Sequence, residues 1–293
     1  MKILRIILLV FFLITAGIYA GVTISEKMQA DNEPPVIKAD ADEITVSVKA
    51  TDEDLLEGMS AFDNVDGDVT NTLVVVSKSD FITKGTLKVN YAAFDSHNNV
   101  TTYTRKVTYE DYRSPRFRAD APFHYVYSSS SNSMFSQVKV DDLLDGDITM
   151  NIRAIYGEMD EGGTERPIVL QVTNSAGDTS AISLTVYRED QSTYSRAKPA
   201  LSKYIIYTKV GSEINYSKYI IGYYKNGKQY SFDDEEVIEA NEFTRDNILR
   251  NSSDVNINKS GEYVVKYTLF TTARNNRDSE ELGSVELYVI VEE

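Results

Sequence analysis

Two short motifs recur in this chain at one fixed distance, and this repetition limits the fold more than any other feature of the sequence. Asp66-Gly67-Asp68-Val69-Thr70 is repeated as Asp145-Gly146-Asp147-Ile148-Thr149. Asp95-Ser96-His97-Asn98-Asn99 is repeated as Asn174-Ser175-Ala176-Gly177-Asp178, and both displacements are 79 residues. Because two separate motifs keep the same displacement, the chain contains duplicated modules.

A third, more diverged copy is indicated by a glycine, a valine and a tyrosine. Gly85, Val89 and Tyr91 reappear 176 residues later as Gly261, Val265 and Tyr267. An acidic triplet of the Asp-Gly-Asp type does not precede this copy, so the third module is expected to have its own loops. Its Asn226-Gly227 pair predicts a tight hairpin turn.

Short runs of alternating apolar and polar residues separate the motifs, as in Ile44 to Val48 and Leu87 to Tyr91. Such alternation is typical of half-buried strands. The predicted fold class is all-β, with tandem immunoglobulin-like β-sandwiches after one N-terminal transmembrane helix. The predicted organisation is a membrane anchor or signal segment at 1–30, module 1 at 33–110, module 2 at 111–188, a linker at 189–198 and a diverged module 3 at 199–293.

The N-terminal segment has the pattern of a membrane or export signal. Lys2 and Arg5 precede an uncharged run from Ile6 to Ile24, and 19 residues rise about 28 Å as a helix, close to the roughly 30 Å of a bilayer core. The basic flank predicts that residues 6–24 contact the membrane and that the rest of the chain lies outside the cytoplasm. An uncleaved anchor is the favoured interpretation, and cleavage after Ala20, giving a secreted protein, is the alternative.

Charge and cysteine content exclude several classes of function. The chain has 45 acidic and 30 basic residues and a formal charge of -15, so it repels the phosphates of nucleic acids. It contains no cysteine, which excludes disulfides, thiolate metal sites and a lipid anchor on cysteine. This composition is ordinary for bacterial surface proteins of the Gram-positive type.

The first module resembles a known family of surface repeats. The resemblance lies in Pro34-Pro35-Val36-Ile37, in the acidic turn from Ala61 to Thr70, and in Gly85, Val89, Tyr91, Asp95 and Asn99. These residues resemble the bacterial immunoglobulin-like repeats first named from a pesticidal crystal protein, akin to hyalin-type and cadherin-like repeats. The resemblance implies a β-sandwich that serves as a spacer, adhesion or docking module, without catalytic residues. Asn98 stands where the family tends to have glycine.

The acidic turns are the only candidates for a bound cofactor. Their carboxylates would suit Ca²⁺, which prefers hard oxygen ligands. The competing interpretation is a plain turn, in which glycine takes a positive φ and the aspartates accept bonds from nearby backbone amides. The turn is favoured and no cofactor is predicted, so the calcium ligands remain weak candidates: Asp63, Asp66, Asp68, Asp145 and Asp147, with Asp141 and Asp142 beside them.

No arrangement typical of a catalytic site is present in the sequence. His97 and His124 are both expected in surface loops, away from any nucleophile pattern. The four acids at 233–236 are expected to form a solvated loop and not a glycosidase pair. The sequence therefore predicts a protein that is not an enzyme.

The expected function is a membrane-anchored, extracytoplasmic binding or spacer protein that contacts a protein partner or the cell envelope. The alternative is a glycan- or wall-binding accessory protein of a surface polysaccharide system. The pair Tyr223-Tyr224 would supply a stacking platform for a sugar in that case. The absence of tryptophan counts against the alternative.

Overall fold

The computed structural model describes residues 2–29, 31–126, 137–234, 242–272 and 279–293. The chain divides into two compact units, Met1–Tyr112 and Arg113–Glu293. The last two of the four acids at 233–236 lie outside the described residues.

The first unit begins with a single long helix, α1, at Lys2–Gln29. Across the described part of the chain, no helix combines the length and the apolar character needed to cross a bilayer. The structure therefore confirms a helix over residues 6–24 but does not support the membrane span predicted there.

Two sheets form module 1. One contains three strands in the order β1-β3-β4 and the other four strands in the order β2-β7-β6-β5. Strand β2 runs parallel to β7, whereas the other pairs are antiparallel. A one-turn helix, α2 at Asp52–Leu55, lies between β2 of the four-stranded sheet and β3 of the three-stranded sheet. The strands are β1 Val36–Ala39, β2 Glu43–Val46, β3 Met59–Asp63, β4 Gly67–Asp68, β5 Val74–Lys78, β6 Thr86–Phe94 and β7 Val100–Tyr109.

The core of module 1 follows from alternation along β6 and β7. Leu87, Val89 and Tyr91 on β6 are fully buried, together with Val107 on β7. The buried Tyr91 hydroxyl donates a hydrogen bond to the Leu55 backbone oxygen at 3.0 Å, which satisfies its polar end. This bond ties β6 to α2, the helix through which the chain passes from one sheet to the other.

Module 2 repeats this arrangement. Its sheets have the orders β11-β10-β8 and β12-β13-β14-β9, and β9 runs parallel to β14 as β2 does to β7. Leu170 of β13 is fully buried at the position that Tyr91 occupies in module 1. The strands are β8 Arg116–Ala119, β9 His124–Val126, β10 Val138–Asp142, β11 Gly146–Asp147, β12 Arg153–Tyr156, β13 Glu165–Thr173 and β14 Thr179–Glu189.

Module 3 has the same pair of sheets. They have the orders β15-β17-β18 and β16-β21-β20-β19, with β16 parallel to β21. A short helix, α3 at Gln191–Ser195, precedes it. The strands are β15 Lys198–Leu201, β16 Ile205–Lys209, β17 Ile220–Lys225, β18 Lys228–Ser231, β19 Ile248–Asn251, β20 Gly261–Phe270 and β21 Glu281–Glu292.

One tyrosine of the diverged copy has the same environment as its counterpart in module 1. Tyr267 is fully buried, as Tyr91 is, and its hydroxyl donates to the Tyr216 backbone oxygen at 3.0 Å. The Asn226-Gly227 turn joins β17 to β18 with φ of 54° and 74°, as the pair predicts. One hydrophobic core runs through modules 2 and 3, so the described parts of both belong to a single compact unit. The fold is thus all-β with a repeated sheet topology, and the precise boundaries predicted between modules remain predictions.

Candidate metal centre

The acidic turn of module 1 connects β3 to β4. Asp63 is the last residue of β3 and is 1% exposed, and its Oδ1 accepts backbone N–H bonds from Val65 at 2.8 Å and Asp66 at 2.9 Å. Gly67 has a φ of 75°, a conformation that glycine adopts without strain. These bonds hold the Asp63 carboxylate in a fixed orientation at one end of the sandwich.

A loop of the opposite sheet brings a second buried carboxylate to this end. Asp95 directly follows β6, and its Oδ1 accepts backbone N–H bonds from His97 and Asn99, both at 2.8 Å. Its Oδ2 accepts the Asn99 side-chain amide at 2.7 Å. Asn98 takes a φ of 65°, in place of the glycine typical of the resembling repeats, so the turn closes without one.

The segment before β1 supplies a third carboxylate. Asp31 is half-buried, its Oδ1 accepts the Glu33 backbone N–H at 3.0 Å, and its backbone oxygen accepts the Asn99 side-chain amide at 3.0 Å. One carboxylate oxygen from each of Asp31, Asp63 and Asp95 lies within 4.8 Å of the others. A second grouping of the same kind joins Asp95 to the exposed Asp66 and His97.

Two buried oxygens of this cluster have no hydrogen-bond donor among the described residues. They are Oδ2 of Asp31 and Oδ2 of Asp63. Within the described residues, no lysine or arginine forms an ion pair with Asp31, Asp63 or Asp95. Buried carboxylate oxygens are normally bonded or bound to a metal, since leaving them unpaired costs free energy. The arrangement is therefore chemically suited to a hard cation.

The local hydrogen bonds keep Asp95 charged. Burial raises the pKa of this carboxyl, but the Asn99 side chain, the backbone N–H groups of Asn99 and His97, and the charge of His97 outweigh it. The net result is a pKa below the ordinary aspartate value. Asp95 thus stays an anion at neutral pH beside two further acids.

The same end of module 2 is built differently at one position. Asp142 matches Asp63 and likewise accepts two turn N–H bonds through Oδ1, from Leu144 and Asp145. Asn174 stands where module 1 has Asp95, and its amide donates to Asp142 Oδ2 at 3.2 Å. The oxygen that is unpartnered in module 1 is therefore satisfied in module 2 by a side chain of the module itself.

The structure separates the acids that the sequence grouped as weak calcium candidates. Asp63 and Asp66 lie in the clusters described above. Asp68 and Asp147 instead accept the backbone N–H bonds of Thr70 and Thr149, and the side chains of these threonines, together with those backbone bonds, hold the pKa of both carboxyls below its usual value. Asp145 accepts two bonds from Ser175, as Asp66 does from Ser96. The turn geometry predicted for both motifs is thus present.

Two members of the cluster were not proposed as ligands from the sequence. Asp95 belongs to a repeated loop and to the residues that resemble the surface repeats, and Asp31 belongs to no motif. The signal for Asp95 is its place at the end of β6, one residue beyond the strand, opposite the turn after β3. Asp31 carries no such signal, because its position depends on how the chain enters β1.

The structure also places the two histidines and the ends of the predicted linker. His97 lies in a loop as predicted, but the loop assignment for His124 is wrong, since its side chain is 7% exposed in β9 and its Nδ1 lies 2.8 Å from Glu189 Oε1. Burial lowers the pKa of His124, and Lys198 Nζ donates to the other Glu189 oxygen at 2.6 Å. The two end residues of the predicted linker, Glu189 and Lys198, therefore form a buried ion pair.

The tyrosine platform that the glycan alternative would use is not formed. Tyr223 is buried and stacks on Tyr230 with ring centroids 5.1 Å apart, while Phe243 packs edge-on at 5.0 Å. Tyr224 is only half-buried, on the other face of the same strand. Because alternate residues of a strand point to opposite faces, two consecutive tyrosines cannot form one surface.

No protein-family profile matches the chain, and no curated protein matches it. Among solved structures, it is similar to the CBM51-2 and INT domains of ZmpB from Clostridium perfringens in complex with GlcNAc, with 16% identity over 50% of this chain and 26% of that chain, at a TM-score of 0.22. It is also similar to the M60 catalytic domain of ZmpB with CBM51-1 and CBM51-2, with 12% identity over 88% of this chain and 30% of that chain, at a TM-score of 0.20. A third is the protocadherin GammaB4 extracellular domain, with 10% identity over 89% of this chain and 50% of that chain, at 0.19.

The chain spans between about a quarter and a half of the length of these structures. At such TM-scores the likeness carries no argument about fold or function. The specific repeat family suggested by the sequence is not confirmed by these comparisons and remains a resemblance.

Proposed function

We propose that this chain is a non-enzymatic binding protein, in which tandem immunoglobulin-like modules outside the cytoplasm hold a protein partner through the acidic end of module 1. The observation that carries the proposal is a set of apolar side chains exposed at that end. Large apolar side chains paired on a strand surface are typical of contact sites when they lie within a polar rim.

The exposed residues are two cross-strand pairs. Val36 faces Phe62 in the first sheet, and the two are 58% and 60% exposed. Phe94 faces Val100 in the second sheet, at 41% and 57% exposed. Phe62 precedes Asp63 and Phe94 precedes Asp95, so both pairs border the acidic cluster. A matching partner presents apolar side chains flanked by lysine or arginine.

Module 2 has polar residues at the same four places. Arg116 faces Asp141, where module 1 has Val36 and Phe62. Thr173 faces Thr179, and their hydroxyls are 2.8 Å apart, where module 1 has Phe94 and Val100. Since both modules share one topology, the backbone does not require apolar residues here. The apolar pairs of module 1 are therefore assigned to binding.

The location outside the cytoplasm rests on the N-terminal pattern. Lys2 and Arg5 followed by an uncharged run to Ile24 match an export signal. The non-enzymatic character rests on the role of the buried charged groups. Glu189 is paired with both Lys198 and His124, so these buried groups satisfy one another, and the Ser96 hydroxyl beside the module 1 acids donates its bond to Asp66.

Site-specific photo-crosslinking in the expressing cell tests this function. A photoreactive phenylalanine analogue is placed at position 62 or 94 of the full chain, and at 141 or 173 as the matched positions of module 2. One partner protein is expected to be captured from positions 62 and 94 and not from 141 and 173. The double substitution Phe94→Thr and Val100→Thr, which copies the pair found in module 2, should abolish capture from position 62.

Equal capture from both modules would remove the assignment of the site to module 1. Capture that survives the double substitution would remove the apolar pairs as its basis. The substitution is expected to leave folding intact, because the same threonine pair is accommodated on the same two strands of module 2.

A cavity in the second unit favours a glycan as the second candidate ligand. It has a volume of about 200 Å³ and is lined by polar and aromatic groups, among them His124, Gln137, Tyr194, Lys198 and Tyr224. A ring beside several hydrogen-bonding groups is the composition of many sugar sites. Binding on a glycan array that is lost in Tyr194→Ala and kept in Phe94→Thr would favour this candidate.

A further inference from the structure

We infer that module 1 binds one Ca²⁺ ion between Asp31, Asp63 and Asp95, and that module 2 does not. The inference stands apart from the partner proposed above, because ion binding requires only the residues of module 1. It rests on two observations that are independent of each other: the unpartnered oxygens in module 1 and the internal substitute for the ion in module 2.

The unpartnered oxygens show that the cluster is incomplete as a set of protein groups. Asp63 is 1% exposed, and its Oδ1 is already used by two turn amides, so Oδ2 is fixed in direction as well. Oδ2 of Asp31 is buried beside it, again without a donor. Three carboxylates at this spacing repel one another unless a positive charge lies between them.

Module 2 shows what replaces the ion when it is not required. The amide of Asn174 donates to Asp142 Oδ2 and removes one of the two facing negative charges. The rest of the turn is the same in both modules. In each, a serine hydroxyl donates to the next acid of the turn, which is Asp66 in module 1 and Asp145 in module 2. Where module 2 has the amide donor of Asn174, module 1 has a second anion, Asp95. Only an external cation can offset this added charge.

The ligand set favours Ca²⁺ among the available cations. All three side chains offer oxygen, and the backbone oxygen of Asp31 is close by, held by Asn99. Ca²⁺ takes about six to eight oxygens at about 2.4 Å, so ligands on opposite sides of one ion lie about 4.8 Å apart. The three carboxylate oxygens lie within 4.8 Å of one another, which fits around one such ion.

The ion has a structural consequence for the start of module 1. Asp31 lies outside the strands, whereas Asp63 ends a strand of one sheet and Asp95 follows a strand of the other. Binding therefore ties the segment before β1 to both sheets. Bonds from Asn99 to Asp31 and from Asn64 to Glu33 also hold that segment, and the ion adds a direct link to both sheets.

The test measures Ca²⁺ binding by the full chain. The protein is stripped with EDTA, desalted and titrated with CaCl2 by calorimetry, and bound calcium is counted by equilibrium dialysis. The expected result is one ion per chain that is lost in Asp95→Asn, with an affinity in the range of extracellular sites, about 10⁻⁴ to 10⁻³ M. Asp95→Asn should weaken binding by at least about tenfold, since a charged ligand is removed.

The control is Asp142→Asn, which removes the charge of the buried aspartate at the equivalent end of module 2 and should leave the stoichiometry unchanged. Hydrogen exchange locates the effect. Amides at 31–33, 63–66 and 95–99 should exchange more slowly with Ca²⁺, whereas those at 142–145 and 174–178 should not change. Asp31→Asn serves as a second variant, since it lies outside the strands and does not enter the core.

Three results would overturn the inference. The first is a full chain that binds no calcium at millimolar concentration. The second is Asp95→Asn or Asp31→Asn that folds by hydrogen exchange and binds as the unsubstituted chain does. The third is equal protection of the module 1 amides by the same concentration of MgCl2, which would remove the assignment to Ca²⁺.

Discussion

Modules 1 and 2 use the same turn and the same loop at one end of the sandwich, but they resolve its negative charge in opposite ways. In module 2, Asn174 donates to Asp142 and the end is complete without a ligand. In module 1, Asp95 replaces that amide, Asp31 is added from the preceding segment, and two carboxylate oxygens have no donor. The comparison shows that two side chains, Asp95 and Asp31, distinguish the acidic end of module 1 from the closed turn of module 2.

The largest effect is expected from removing the central acid of each turn. Asp63→Ala and Asp142→Ala both leave two turn N–H groups without their acceptor, which costs about 2 kcal/mol of local stability. In EDTA, Asp142→Ala should cost more than Asp63→Ala, since it also breaks the bond from Asn174, whereas Asp63→Ala relieves repulsion. Hydrogen exchange at 65–66 and 144–145 measures both. An equal cost in the two modules would contradict the comparison.

The second effect is expected from making module 2 resemble module 1. Asn174→Asp places a carboxylate against the buried Asp142 and removes its donor, so the 174–178 loop should lose about 1 to 2 kcal/mol of stability at neutral pH in EDTA. The loss should be smaller at acidic than at neutral pH, because protonation of one of the two facing acids removes their repulsion. Hydrogen exchange of the loop at both pH values gives the measurement. Asp145→Asn, an exposed acid of the same turn, is the control.

A third effect separates the two loops by their response to acid. The folded pKa of Asp95 lies below the ordinary value of 3.8, so its bonds stabilise the loop fully above 3.8 and are lost as the pH falls through the lowered value. Asn174 does not titrate in this range. Exchange at 97–99 should therefore accelerate on acidification below pH 3.8 relative to exchange at 176–178, after correction for intrinsic rates. Parallel behaviour of the two loops would show that Asp95 does not hold its loop.

The smallest effect is expected where the modules are alike. Ser96→Ala and Ser175→Ala each remove one exposed hydroxyl bond, to Asp66 and Asp145, at about 0.5 kcal/mol. The cost should be the same in both modules, with or without Ca²⁺. A calcium-dependent difference at Ser96 would mean that Asp66 belongs to the ion site, and would enlarge the ligand set beyond Asp31, Asp63 and Asp95.

The repeated part of the structure could be predicted from the sequence, because local chemistry determines it. The turn at Gly67 and the hairpin at Asn226-Gly227 depend on residues that are adjacent in the chain. The buried role of Tyr267 follows from its displacement from Tyr91. All three of these features need no knowledge of distant contacts.

The site could be predicted only in part, because its members are far apart in the sequence. Asp63 was found as part of the turn, but Asp95 required the pairing of β6 with β7, and Asp31 the path of the chain into β1. His124 was misplaced for a related reason. A polar residue in a three-residue strand resembles a loop residue until its buried partners, Glu189 and Lys198, are known.

The parallel pairing of β2 with β7 and of β16 with β21 determines how a module carries mechanical load. In each pair, a strand near the start of the module is hydrogen-bonded alongside its last strand. A pull on the two ends of a module therefore acts along these strands, in shear, and must break their hydrogen bonds together instead of one after another. Resistance to tension is thus a property of the sheet order itself, present before any ligand is bound.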